Sequence, residues 1–173
     1  LIKNVQAFFT TKESFLLSKK EIQPQEVKEN KKIICDYLEI KEKNFITPQQ
    51  THSSNIEIVS EKTEYSNTDG LILTDCTKAI FLNFADCTPL IFYDEKQNIG
   101  AISHAGWRGT VARIGVLTVN KLVNEFNSER QNIKVLVGAA ICKDCYDVGE
   151  DVFEKFPTYI NLSITKKIIL KKD

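Results

Sequence analysis

Three residues of this chain have the types and the spacing of a metal site that can do chemistry. The only histidines are His52 and His104, and Cys87 lies between them in the sequence. Two imidazoles and one thiolate can supply three ligands to zinc (Zn²⁺) and leave the fourth position open, which is the pattern of catalytic zinc sites. The gaps of 35 and 17 residues are too long for a local, finger-type clip. We therefore expect the tertiary fold to assemble this site.

Each of the three residues also has an ordinary structural interpretation. A single histidine at a strand end is often a hydrogen-bonded core or surface residue, and a cysteine in an apolar run is often inert packing. The joint pattern favours function, because both histidines have small, polar or glycine neighbours and all three residues fall at the ends of apolar runs.

The segment from His104 to Thr110 (HAGWRGT) predicts an anion site. Backbone N–H groups at the start of a helix, with the guanidinium of Arg108 beside them, suit a phosphate. Gly109 allows the backbone to come close to such a ligand. The glycine spacing is neither that of a Walker loop nor that of a dinucleotide-binding loop. The alternative is a plain strand-to-helix turn with Trp107 in the core.

Carboxylates and further thiols lie near the same predicted strand ends. Asp86, next to Cys87, is the better candidate for acid–base work or for supporting a metal ligand, whereas Asp69, followed by glycine, is also typical of a turn. One Cys142-x-x-Cys145 motif cannot fill a structural zinc site. It is either a redox pair or, as we favour, two thiols packed in a loop.

Composition excludes several classes of function. The 173 residues suit one domain over positions 1–173, with 42% hydrophobic and 27% charged residues as in soluble globular proteins. Basic and acidic residues both total 23, so no nucleic-acid or membrane partner is expected. Five cysteines without a visible signal peptide predict free thiols and a cytoplasmic location.

The elements that must position these residues alternate between short apolar runs and helical patterns. The central runs fit strands buried on both faces. Their order and short connections favour an α+β fold with a layered sheet over a doubly wound parallel one. The predicted helices are Pro24–Leu38, Thr110–Phe126 and Gly149–Phe156; the predicted strands are Val5–Thr10, Asn55–Ser60, Asp69–Thr74, Ala79–Phe84, Leu90–Asp94, Ile99–His104 and Ile133–Ala139; Lys12–Gln25 is a predicted loop and Lys166–Asp173 a frayed tail.

Several motifs together resemble the laccase-domain family, first called multicopper polyphenol oxidases and now regarded as zinc-dependent purine nucleoside phosphorylases. The resemblance covers roughly residues 5–156. The motifs that carry it are Gln50-Thr51-His52, Thr68-Asp69-Gly70, Ala85-Asp86-Cys87-Thr88-Pro89, His104-Ala105-Gly106-Trp107-Arg108-Gly109, and the region from Val137 to Gly149.

The resemblance implies a layered α/β/β/α sandwich with mixed sheets, as in deamidating toxins of the cytotoxic-necrotizing-factor type. It implies that His52, Cys87 and His104 bind the metal. The implied reactions are phosphorolysis of adenosine, inosine and methylthioadenosine, together with adenosine deamination. Purine nucleoside and phosphate are then the expected small-molecule partners. Phosphate and substrate would be bound by Arg108, Gly109 and Gln50, with Asp86 as the acid for the leaving purine.

The chain departs from the family pattern in two places. The glycine-rich stretch that usually follows the first strand is missing from Lys12–Gln25. The chain also stops at Asp173, before the Phe-Phe-Ser-x-Arg-Arg region of the family, and it does not begin with Met. We therefore expect a C-terminal segment to be lacking or not shown.

Two other functions remain open from the sequence. A laccase-type oxidase needs four copper ions and many histidines, which two histidines cannot supply. A single copper (Cu²⁺) centre of the blue type needs His₂Cys and a weak axial ligand, usually Met. The chain has no Met, although a Gln side chain or a carbonyl oxygen could replace it, so zinc is the simpler interpretation. A metal-free hydrolase or deamidase would instead use Cys87 as nucleophile and a histidine as its base.

Overall fold

A five-stranded mixed sheet lies at the centre of the protein, whose computed structural model describes residues 5–11, 24–156 and 171–172. Its strand order is β2-β3-β6-β5-β7, with β2 and β3 parallel and the other pairs antiparallel. Apolar, β-branched runs form these strands, as the sequence predicts. Their bounds are β2 Ile56–Ile58, β3 Gly70–Leu73, β5 Thr88–Asp94, β6 Ile99–Ala105 and β7 Ile133–Val137.

Helix α3 (Ile114–Phe126) covers one face of this sheet. Its buried residues Ile114, Thr118 and Leu122 recur every four positions and so lie on one side of the helix. Leu122 packs in a cluster with Phe92 and other apolar residues of the sheet. The helix ends at Asn127, which adopts a left-handed conformation (φ 56°) that asparagine tolerates.

A second, two-stranded parallel sheet covers the opposite face. It consists of β1 (Phe45–Ile46) and β4 (Ala79–Ile80). Ile46 and Ile80 pack in one cluster with Leu71 of the central sheet. On the outside of this small sheet lies α1 (Pro24–Tyr37), whose proline suits the first turn of a helix.

The layers therefore follow the order α3, five-stranded sheet, two-stranded sheet, α1. The expected α+β fold with an α/β/β/α arrangement and mixed sheets is confirmed. The remaining elements are short helices and one strand pair. They are α2 (Trp107–Val111), α4 (Glu150–Phe153), the 3₁₀ turns Glu42–Asn44 and Arg130–Asn132, and β8 (Asp147–Val148) paired with β9 (Lys171–Lys172).

The structure corrects the predicted extent of two strands. Residues 5–11 lie in no strand of the described chain, and Phe8 and Phe9 are exposed. The run Ala79–Phe84 pairs over its first two residues alone. Strand propensity reflects packing against neighbours more than an intrinsic backbone preference, so a β-rich run without a full partner does not form a long strand.

The burial of β7 is also different from the prediction. We expected this run to be a buried strand, yet Val135, Leu136 and Val137 are all exposed. The reason is topological, because β7 is an edge strand that pairs with β5 alone. Apolar composition cannot distinguish an edge strand from a central one.

The predicted helix Thr110–Phe126 begins earlier than expected and is interrupted. Its first part, α2, starts at Trp107, and Arg113 separates it from α3 with a left-handed backbone (φ 63°). The predicted loop over Lys12–Gln25 lies mostly outside the described residues, as does most of the Lys166–Asp173 tail. Across the described ranges, we find no helix that combines the length and apolar character of a membrane span.

Candidate metal centre

The sheet brings Cys87 and His104 to the same end of two paired strands. Cys87 immediately precedes β5, and His104 is the second-last residue of β6. Because β5 and β6 are antiparallel, the start of one lies beside the end of the other, with Thr88 paired to Ala105. This pairing explains why two residues 17 positions apart meet.

His52 reaches the same point from the loop between β1 and β2. One ligand atom from each of His52, Cys87 and His104 lies within 4.8 Å of the other two. The imidazole rings have centroids 4.9 Å apart and are inclined at 70°. His104 is buried, Cys87 is half-buried and His52 is exposed, so the cluster opens to solvent on the His52 side.

A buried carboxylate, Asp69, fixes both histidines. Asp69 precedes β3, which pairs with β6, and its side chain is fully buried. Its Oδ1 atom lies 2.8 Å from Nδ1 of His104 and accepts the backbone N–H of His52 at 3.0 Å. Its Oδ2 atom accepts the N–H groups of Thr51 and Ser53 and the Ser53 hydroxyl.

These contacts determine the charge of Asp69 and the tautomer of His104. Burial by itself raises the pKa of Asp69, but hydrogen bonds from Ser53, from His104 and from backbone N–H groups outweigh it and lower the pKa below its usual value. An ionised carboxylate can only accept hydrogen bonds. Nδ1 of His104 therefore carries the proton, and its Nε2 lone pair is left for a ligand.

His52 is held in an uncommon backbone conformation. Its φ angle of 61° lies in the left-handed region, which residues other than glycine adopt rarely. The three consecutive N–H groups of Thr51, His52 and Ser53 all point to Asp69, and this shared contact keeps the loop in that conformation. The same carboxylate thus sets His52 through the backbone and His104 through the side chain.

Gly106 provides the space in which the three ligands meet. A Cβ atom at this position would lie 3.0 Å from Sγ of Cys87 and 3.0 Å from Cδ2 of His52. Both distances are shorter than an ordinary van der Waals contact. A side chain here would press on both residues, so glycine allows the chain to approach the cluster closely.

The Cys87 thiol favours its protonated form without a metal. Burial is the main cause that raises the pKa of Cys87, and the negative charges of Asp86 and Asp69 add to it. A thiolate in this position gains stabilisation when a cation replaces the proton. Burial is the largest cause that raises the pKa of the half-buried Tyr146 phenol, and the charges of Cys87 and Asp86 raise it further. Tyr146 therefore lies within electrostatic reach of Cys87.

The donor set and its dimensions fit zinc. From the zinc–ligand bond lengths, ligand atoms on a tetrahedral zinc ion are about 3.3–3.6 Å apart. The three ligand atoms lie within 4.8 Å of one another, so a movement of about 1 Å would complete the set. Asp69 supplies the carboxylate partner that zinc-binding histidines usually have.

The structure revises the predicted anion site. Because α2 begins at Trp107, Gly109 lies inside its first turn and not before it. Gly109 is buried, and a Cβ atom there would lie 3.2 Å from the Ser53 carbonyl and 3.3 Å from the His104 carbonyl. Its visible role is to let α2 pack against the two histidine-bearing segments. Arg108 is exposed, and its guanidinium stacks 4.1 Å from the Trp107 ring.

The two other predicted residues have different surroundings. Gln50 bridges to Asn83, because its Nε2 donates to the Asn83 carbonyl at 2.9 Å and its Oε1 accepts the Asn83 N–H at 2.8 Å. This residue therefore ties the His52 loop to the chain that leads to Cys87. Asp86 is exposed beside Cys87, and its carbonyl accepts the N–H of Ile141.

Sequence reasoning underestimated Asp69. We preferred Asp86 as the supporting carboxylate because of its position beside Cys87, yet Asp69 contacts both histidine segments. The available signal was its place directly before a buried run, opposite the run that ends in His104.

The comparison with known proteins identifies the family. A family model described as multi-copper polyphenol oxidoreductase laccase matches residues 15–168 of the 173. The chain belongs to this family. The resemblance seen in the sequence motifs is thereby confirmed.

Relatives of this laccase-like family member carry names of purine enzymes. Adenosine deaminase RL5, from an unknown prokaryotic organism, is 32% identical over 123 residues, which cover 65% of this chain and 47% of the relative. Purine nucleoside phosphorylase YlmD of Bacillus subtilis is 29% identical over 139 residues, which cover 75% and 50% respectively. The chain thus spans about half the length of these curated relatives.

A solved structure shares the fold. The hypothetical protein YfiH of Bacillus licheniformis superimposes with a TM-score of 0.78 at 28% identity, covering 89% of this chain and 61% of that one. The sequence similarity and the shared fold therefore both support membership of this family.

Proposed function

We propose that this protein is a zinc-dependent purine nucleoside phosphorylase, with adenosine deamination as a second reaction. The observation that carries the proposal is the convergence of His52, Cys87 and His104 within 4.8 Å, beside the buried carboxylate of Asp69. The names of the relatives, a purine nucleoside phosphorylase and an adenosine deaminase, supply the substrate class. Adenosine, inosine and methylthioadenosine are the nucleosides to test.

His52, Cys87 and His104 would hold the zinc ion. Bound zinc would supply Lewis acidity and leave a fourth position open for the reaction. Asp69 holds the proton on Nδ1 of His104 and fixes the position of the His52 backbone, so both imidazoles are oriented before any ligand arrives. Preorganisation of this kind avoids the cost of reorganising the site during the reaction.

Arg108 is the proposed phosphate-binding residue. Its guanidinium is exposed, is held over the Trp107 ring and belongs to the helix that starts at the cluster. A guanidinium can bind two phosphate oxygens at once, which would orient the phosphate toward the sugar. Gly109 and Gln50 contribute by positioning, because they pack or tie the segments that carry the histidines.

Phosphorolysis requires positive charge to develop on the ribose ring and a proton to reach the leaving purine. A phosphate oxygen forms a bond to the anomeric carbon of ribose while the bond from that carbon to the purine nitrogen breaks, through an oxocarbenium-like state. The leaving purine must gain a proton. We assign that proton to Asp86, whose exposed carboxyl group lies in the segment next to Cys87.

A metal-free cysteine hydrolase is the second candidate, and one observation favours it. Asp69 orients His104 in the way that the third residue of a catalytic triad orients its base, and Cys87 is nearby. The raised pKa of Cys87 favours the neutral thiol, which is a poorer nucleophile than the thiolate. A copper oxidase is disfavoured, because the chain has two histidines and no methionine.

One assay separates these functions. Zinc-loaded protein is incubated with adenosine and inorganic phosphate, and the products are resolved by chromatography. The proposal predicts adenine from phosphorolysis and inosine from deamination. Because inosine is itself a proposed substrate, ribose 1-phosphate should equal the sum of adenine and hypoxanthine. Both products should disappear in Cys87→Ser and in protein treated with a chelator. Adding zinc back should restore activity to the chelator-treated protein. Neither product from zinc-loaded protein would contradict the proposal, and thiol-dependent hydrolysis that survives the chelator would support the cysteine hydrolase.

A further inference from the structure

The proposed reaction leaves one pair of cysteines unused. Cys142 and Cys145 are both exposed, and their Sγ atoms lie 3.1 Å apart. A disulfide bond is about 2.05 Å long. A movement of about 1 Å would therefore join the two sulfur atoms.

The backbone between the cysteines is already folded for such a bond. The N–H of Cys145 donates to the carbonyl of Cys142 at 3.1 Å, which closes a four-residue turn. The ends of such a turn have Cα atoms less than about 7 Å apart, and this is also the upper limit that a disulfide can span. No rearrangement of the chain is needed to bring the thiols together.

The two thiols are chemically different. The hydrogen bond between the two sulfur atoms, and after it the backbone N–H of Asp144, lowers the pKa of Cys142 below that of an ordinary thiol. The same sulfur–sulfur contact is the main cause that raises the pKa of Cys145. This asymmetry suits a nucleophilic thiol with a resolving partner, which is the usual arrangement in Cys-x-x-Cys motifs.

We propose that Cys142 and Cys145 form a reversible disulfide by exchange with a low-molecular-weight disulfide of the glutathione class. The thiolate of Cys142 attacks one sulfur of the small disulfide and expels one small thiol. The Cys145 thiol then loses its proton and attacks the Cys142 sulfur, which expels the second small thiol. The two protein thiols are oxidised to one disulfide, and the small disulfide is reduced to two thiols.

The pair acts next to the metal centre but is separate from it. The turn follows Ile141, whose N–H donates to the Asp86 carbonyl at 3.0 Å, and precedes Tyr146, whose phenol is within electrostatic reach of Cys87. None of the three proposed metal ligands belongs to the turn. The disulfide can therefore be tested on its own, whatever reaction the metal centre performs.

The position of Lys143 provides a direct readout. Trypsin cleaves after lysine and so cuts between the two cysteines. The reduced full-length protein is exposed to oxidised glutathione, its free thiols are blocked with N-ethylmaleimide, and it is digested. We expect the peptide that ends at Lys143 and the peptide that begins at Asp144 to appear as one linked mass, which separates after addition of a reductant. Intact mass without reductant should show a monomer.

Matched variants distinguish the attacking thiol from the resolving thiol. Cys145→Ser should accumulate one glutathionyl group on Cys142, because nothing resolves the mixed disulfide, and Cys142→Ser should react more slowly. Cys76, exposed and without a neighbouring cysteine among the described residues, should acquire a stable glutathionyl group in every variant. Separate wild-type peptides that are unmodified or that each carry glutathione would overturn the proposal, and so would a linked mass found only in dimers.

Discussion

Two of the places where this protein presents thiols are built in opposite ways. Cys87 is half-buried beside two imidazoles, and the fully buried carboxylate of Asp69 binds the ring of His104 and the backbone N–H of His52. Cys142 and Cys145 are exposed in a turn, and the sulfur of each has the other as its neighbour. The surroundings push the pKa of Cys87 up and that of Cys142 down.

The difference shows how the same functional group is directed to different chemistry. A cation can replace the proton of the Cys87 thiol, because the neighbouring ligands are preset and the local field is negative. At the turn, exposure and a lowered pKa favour attack on a small disulfide. Burial and hydrogen bonding around the sulfur, and not the residue type, separate the two roles.

The largest effect is expected from removing the carboxylate that supports the metal centre. Asp69→Ala leaves donors from Thr51, His52, Ser53 and His104 without their acceptor, and for the buried Nδ1–H of His104 this costs about 1–3 kcal/mol. We expect the free energy of unfolding, measured in urea, to fall by about 3–5 kcal/mol. Asp75→Ala, in an exposed turn with Thr77, is the control and should change little. An equal loss of stability in the two variants would show that Asp69 does not support the histidine segments.

The second effect concerns His52, one of the proposed metal ligands. His52→Asn removes the imidazole but keeps a residue that tolerates the left-handed backbone. Zinc affinity, measured by competition with a chromophoric chelator, should fall at least about 100-fold. Losing a residue that only hydrogen-bonds to a metal ligand already costs up to about 100-fold, and losing the ligand itself should cost no less. Because His52 is exposed, the melting temperature of the metal-free protein should be unchanged. Ser54→Ala in the same loop should bind zinc normally; equal zinc affinity of His52→Asn and wild type would exclude His52 as a ligand.

The space at Gly106 provides a smaller test. Gly106→Ala places a methyl group 3.0 Å from Sγ of Cys87 and should weaken zinc binding by about tenfold, equivalent to about 1.4 kcal/mol. Gly100→Ala is the matched control, because its Cβ would meet its nearest atom at an ordinary 4.0 Å. Equal zinc affinity of the two variants would show that the space at Gly106 is not needed for zinc binding.

The smallest effect is a difference in the pH dependence of alkylation. The thiolate is the reactive form, so a lowered pKa moves the half-maximal rate to lower pH and a raised pKa moves it to higher pH. Iodoacetamide should therefore modify Cys142 at lower pH than metal-free Cys87. Zinc should protect Cys87 alone. Peptide mapping measures each rate, and the reverse order of Cys142 and Cys87 would contradict the account.

The three ligand candidates could be predicted because the chain has only two histidines, and because Cys87, one of its five cysteines, lies at the end of an apolar run as they do. Two histidines and one cysteine at the ends of apolar runs leave few alternatives, and β5 and β6 formed close to where those runs predicted them. The central strands were predictable for the same reason, since each apolar run is bounded by turn residues.

Other features depend on contacts that carry no local signature. Asp69 supports residues 16–35 positions away, and its sequence neighbours suggest an ordinary turn. The exposure of β7 follows from its place at the sheet edge, which composition does not show. Because α2 starts at Trp107, Gly109 lies in a helix and not in a loop, and it packs closely there; its predicted contact with phosphate stays a prediction.

X-ray absorption spectroscopy at the zinc edge would show whether one thiolate and two imidazoles bind the metal. For zinc-loaded wild-type protein the account predicts one sulfur ligand at about 2.3 Å and two nitrogen ligands at about 2.0–2.1 Å, with the sulfur signal lost in Cys87→Ser and kept in Cys142→Ser. Two sulfur ligands, no sulfur ligand, or a spectrum unchanged in Cys87→Ser would contradict it.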